Sequence, residues 1–130
     1  MTDAEFLAAL EAATLDPAEF THRAHVRAGY LILSQAPSFG MALDRMEQAI
    51  CRFAARNGKD GLYHATITTA FMTLIHERMA FGDHEDWESF AAAHPDLFEA
   101  GVLERYYPKA FLARPESRAV FCLPPAGASA

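Results

Sequence analysis

Cysteine is scarce: Cys51 and Cys122 are the only two in 130 residues. Neither belongs to a C-x-x-C pattern, which argues against dithiol redox chemistry, and both sit among apolar neighbours, so two buried free thiols are expected. Long hydrophobic runs are lacking too. None approaches the roughly 18 residues of a membrane span, and the first five residues are acidic where a secretory signal would be basic. A soluble, cytoplasmic protein with no membrane partner is therefore expected. An excess of positive charge is absent as well: the net charge is −6 with the acidic residues scattered, which argues against nucleic acid as a partner.

Several catalytic signatures are also missing. No glycine-rich phosphate loop, nucleophile elbow or Cys/His zinc pattern occurs. His84-Glu85-Asp86-Trp87-Glu88 begins like the zinc-peptidase motif H-E-x-x-H, but Glu88 stands where the second histidine is needed. Glu19-Phe20-Thr21-His22 matches E-x-x-H once, whereas a di-iron bundle requires a second copy on another helix.

What is present is helical periodicity. The hydrophobic fraction of 52% is ample for one core, and the pattern predicts an all-α fold: an irregular bundle of about four longer helices plus short C-terminal ones. Thr2 and Glu5 form a capping box that opens a helix over 3–13. Asp16-Pro17 starts a second helix, reset at Thr21 and ended before Pro37. Ser38 caps a third with an apolar stripe of Phe39, Leu43, Met46, Ile50 and Phe53, closed at Asn57-Gly58. A fourth covers 62–81, and Asp83 caps a short helix through Trp87 and Phe90. Residues 1–125 read as one helical domain and 126–130 as a flexible tail. Ile67, Phe71 and Ile75 are expected to be buried together with Leu33 and Ile50, which gives Phe71→Ala an expected cost of roughly 3–5 kcal/mol.

Chemistry concentrates in the histidines. His22 and His25, three apart, share a helix face about one turn apart, so both imidazoles can reach one ion or ligand. His64 lies near the start of the fourth helix, on a face shared with Thr68 and Phe71. If the second and fourth helices run roughly parallel, with the third returning between them, the three rings meet at one end of the bundle. The expectation is a polar pocket with His22, His25 and His64 as ligands of a divalent transition metal or of a small molecule, and Tyr63, Thr68 and Tyr107 as orienting hydroxyls. The ordinary alternative is equally concrete: histidines satisfied as caps and polar core residues. Arg45, Arg52 and Arg56 align on the third helix and read as a solvated face.

The segments Phe20-Thr21-His22-Arg23-Ala24-His25-Val26, Tyr63-His64-Ala65-Thr66-Ile67-Thr68, Tyr106-Tyr107 and Ala119-Val120-Phe121-Cys122-Leu123-Pro124 resemble those of a family of small uncharacterised bacterial α-helical proteins. The resemblance covers most of the chain. It implies a bacterial cytosolic protein and carries no reaction, cofactor or catalytic residue with it. Two functions stay open: a ligand- or metal-binding domain built on the histidine pocket, enzymatic or not, and a non-catalytic helical protein acting through homodimerisation or a protein partner.

Overall fold

The computed structural model describes residues 1–99 and 101–126. Seven α-helices are found among them: α1 (Asp3–Glu11), α2 (His22–Gln35), α3 (Phe39–Arg56), α4 (Ala65–Phe81), α5 (Trp87–Ala93), α6 (Lys109–Leu112) and α7 (Pro115–Ala119). Short 3₁₀ turns lie at Pro17–Glu19, Pro95–Phe98 and Val102–Arg105. Helical segments make up 68% of the structure and no strand occurs among the described residues, so the fold is all-α as the periodicity predicts. No helix among these residues is long and apolar enough to cross a membrane. Of the expected tail, 127–130 lie outside the described residues.

The helix starts follow from side chains that satisfy free N–H groups. The Thr2 hydroxyl accepts from the Glu5 amide at 3.1 Å, and the Glu5 carboxylate accepts from the Thr2 amide at 3.0 Å. The reset at Thr21 is a true boundary: one 3₁₀ turn behind Pro17 ends, and the Thr21 hydroxyl then receives the Ala24 amide at 3.3 Å to open α2. Ser38 opens α3, which closes at Asn57 with Gly58 at a φ of 64°. Two starts differ from expectation. Helix α4 begins at Ala65 rather than near 62, because the His64 imidazole itself is the cap and accepts from the Ile67 amide at 3.0 Å. Helix α5 is capped by Asp86, which exchanges hydrogen bonds with Ser89, rather than by Asp83.

Helix α2 packs on both α3 and α4. Gly29 allows the close approach of α4, since a Cβ there would stand 3.0 Å from Met72 Sδ and 3.1 Å from Ile75 Cδ1. One core joins the helices, with Leu10, Ile32, Phe53, Ile75, Phe90 and Leu97 fully buried. The expected burial of one apolar set is met only in part. Ile50 and Ile75 are buried, whereas Leu33, Ile67 and Phe71 are half-buried at the margin of the core. For Ile67 and Phe71 the reason is local: the space before them is a cavity rather than packed side chains.

The cysteines also depart from expectation. Both are free, but Cys51 is exposed and Cys122 half-buried. Cys51 follows Ile50 by one residue, about 100° around the helix, and so falls off the buried stripe. Arg45 and Arg52 of α3 are not merely solvated, whereas Arg56 is exposed as expected. Arg45 makes a two-pronged pair with the Glu11 carboxylate at 2.7 and 2.8 Å, and Arg52 donates to the Glu11 carbonyl at 2.7 Å. Both cations thus sit at the C-terminal end of α1, where the helix dipole favours them.

The extended segment 120–124 lies along α4. Thr66, fully buried, donates to the Val120 carbonyl and accepts from the Cys122 amide, both at 3.0 Å. Tyr107 donates to the Cys122 carbonyl at 2.8 Å. Thr66→Val keeps the shape and removes both Thr66 bonds. It should cost about 1–3 kcal/mol in urea denaturation, as the Val120 carbonyl and the Cys122 amide lose their partner at the buried Thr66. A cost under about 0.5 kcal/mol would show that Thr66 does not hold the segment.

Candidate functional site

A cavity of about 300 Å³ opens between α2, α3 and α4. Its wall is mostly apolar: Val26 from α2, Met46 and Ile50 from α3, and Ile67, Phe71, Met72 and Ile75 from α4. The polar groups are His22, His25 and Thr68. The cavity thus combines an apolar body with a few polar groups.

The start of α2 sets both imidazoles. His25 Nδ1 lies 2.9 Å from the Thr21 carbonyl oxygen, one turn back, and the ring stacks on Phe20 with centroids 3.7 Å apart. A carbonyl can only accept, so Nδ1 carries the proton and the neutral ring keeps its lone pair on Nε2. His22 is arranged the opposite way. Its Nε2 lies 2.9 Å from the Leu97 carbonyl oxygen, which places the proton on Nε2 and the lone pair on Nδ1. The edge of that ring meets Phe71 with centroids 5.1 Å apart. His22 is exposed and His25 half-buried. Burial holds His25 below the ordinary imidazole value, opposed by its bond to the Thr21 carbonyl and assisted by the neighbouring His22.

Of the six residues expected at one pocket, the structure brings His22, His25 and Thr68 to this cavity, while His64, Tyr63 and Tyr107 are not part of its wall. His64 is spent twice on backbone. Its Nδ1 accepts from the Ile67 amide, so Nε2 is protonated and donates to the Leu112 carbonyl at 2.8 Å. No lone pair remains for a metal. His64 therefore does not join His22 and His25 at this cavity, and among the described residues no three His, Cys, Asp or Glu side chains gather as a metal-holding group. The Tyr107 hydroxyl is committed to the Cys122 carbonyl. Tyr63 is held well above the ordinary phenol value by burial and by the Glu47 carboxylate near it.

His84 and His94 act as polar joints. His84 Nδ1 accepts from the Tyr30 hydroxyl at 2.9 Å, and His94 Nδ1 lies 3.1 Å from Arg78 Nη1. Met46, Ile50 and Ile75 belong to the core, as their periodicity predicts, but sequence reasoning missed that they also border a cavity. No signal in the chain separates a helix stripe that faces a cavity from one that faces packed side chains.

No family model matches the chain, and neither curated proteins nor solved structures yield a match.

Proposed function

We propose that this protein binds a small, largely apolar molecule in the cavity between α2, α3 and α4. The observation that carries this reading is the pairing of an apolar wall with two imidazoles whose tautomers are each set by a backbone carbonyl. Tautomers fixed in this way leave one lone pair per neutral ring, and among the described residues neither His22 Nδ1 nor His25 Nε2 makes a hydrogen bond. Such rings suit hydrogen bonding to a ligand and, where a reaction follows, proton transfer. His22 and His25 alone, without a third protein donor, make a weaker case for a resident metal ion.

Ethylbenzene titrated into ¹⁵N-labelled protein tests the reading. The amide signals of Val26, Phe71 and Met72 should shift together and saturate. Ile67→Trp, which places a large ring in the cavity, should weaken binding at least about tenfold. Shifts scattered over the surface, or binding undisturbed by Ile67→Trp, would overturn it.

A second reading has its own observation. Tyr106 and Phe121 share a groove with Leu74, Leu103 and Pro124, and Val120 and Leu123 beside it are exposed. Apolar exposure of this kind suits a homodimer or protein contact. Sedimentation equilibrium of the native chain and of a Phe121→Asp variant decides whether the segment mediates self-association.

A further inference from the structure

The two imidazoles carry information about the class of ligand. His22 and His25 are the only titratable side chains in the cavity wall: no carboxylate, lysine or arginine reaches it from α2, α3 or α4 among the described residues. A bound carboxylate would therefore find no permanent cation. It would have to bring a proton onto an imidazole, and burial opposes that proton at His25. A group that donates a hydrogen bond meets the opposite situation. In the neutral tautomers set by Thr21 and Leu97, the acceptors are already in place.

We infer that the cavity selects a neutral molecule whose head is a hydroxyl, as in an alcohol or a phenol, and whose body is apolar, with the hydroxyl donating to His25 Nε2 or to His22 Nδ1. This rests on the cavity being a ligand site. His25 is the principal acceptor, because it is half-buried while His22 is exposed and shares its lone pair with water. Thr68, on the same wall, supplies a hydroxyl that can donate to the oxygen of the head. Protonation of His25 replaces the lone pair with an N–H and removes the acceptor. The preference for a hydroxyl should therefore hold at neutral pH and fade only below the ordinary imidazole range, where the buried ring gains its proton.

Three probes of nearly equal body separate the possibilities: ethylbenzene, 4-ethylphenol and 4-ethylbenzoate, titrated into the native chain and into His25→Phe and His22→Leu. His25→Phe keeps an aromatic ring for Phe20 to stack on, and ethylbenzene binding verifies that each variant still forms the cavity. The expected result is that the affinity ratio of 4-ethylphenol to ethylbenzene falls roughly 3- to 10-fold in His25→Phe, the worth of one hydrogen bond, and less in His22→Leu. On the native chain the same ratio should fall only as the pH drops below the ordinary imidazole range, with ethylbenzene binding unchanged. A ratio that stays the same in both variants and at all pH values overturns the hydroxyl assignment while leaving the cavity reading intact. 4-Ethylbenzoate binding more tightly than 4-ethylphenol overturns it in favour of an anion. No binding of ethylbenzene by the native chain overturns the cavity reading, and this inference with it.

Discussion

Truncating Phe53 to alanine should cost about 3–5 kcal/mol, whereas Phe71→Ala should cost about 1–2 kcal/mol. Phe53 is 1% exposed and meets the ring of Phe20 edge-on at 4.7 Å. Its removal leaves a new void lined by side chains that cannot collapse into it, so the cavity cost adds to the lost burial. Phe71 is half-buried and already faces the space between α2, α3 and α4. Its loss enlarges an existing cavity instead of creating one, and so forfeits fewer packing contacts. Urea denaturation followed by circular dichroism measures both. Equal losses would mean that the α4 face is packed core, as the periodicity alone predicts, and the ligand site would go with it.

Asp96→Ala should be the second large effect, at about 2–3 kcal/mol near neutral pH. Arg78 of α4 donates to both carboxylate oxygens of Asp96, at 3.0 and 2.8 Å, and Arg105 donates to one of them at 3.0 Å. The three residues join α4 to the 3₁₀ turns that follow α5, and the Arg78 and Asp96 side chains are each 23% exposed. Hydrogen bonds from Arg78 hold the Asp96 carboxyl well below its ordinary 3.8. A pKa lowered by folding means that the unfolded chain binds the proton more readily. The stabilisation is thus complete above the unfolded value and is lost as the pH falls beneath it toward the folded value. Thermal unfolding of the native chain and Asp96→Ala should differ most near pH 7 and converge as the pH drops below about 3. A difference that persists unchanged in acid would show that packing at Asp96, rather than its charge, supplies the stability.

The neighbourhood of the two histidines was legible because it depends on local geometry. His22 and His25 share a face through the helix repeat alone, and Thr21 opens that helix through its own hydroxyl. His64 lies at the start of α4, as its place in the sequence predicts, but its ring is not free for a ligand. Its ring nitrogens are taken by the Ile67 amide, three residues away, and by the Leu112 carbonyl, 48 residues away. The first contact follows from a capping position. The second depends on how α6 returns to α4, which no periodicity encodes. Arg45 and Arg52 of α3 divide in the same way, since their common face is a matter of spacing while their acceptor, Glu11, comes from another helix.

Taken alone, the sequence determined the all-α class, the capped starts of α1, α2 and α3, and the end of α3 at Asn57-Gly58, because each depends on interactions within a few residues. Only the tertiary structure decided that Ile67 and Phe71 border an open cavity, that two histidines rather than three reach it, and that Thr66 and Tyr107 fasten the segment after α7. The physical reason is the same in each case. A helix specifies which side chains share a face, but what that face meets depends on the separation of helices far apart in sequence, here set by contacts such as Gly29 against Met72.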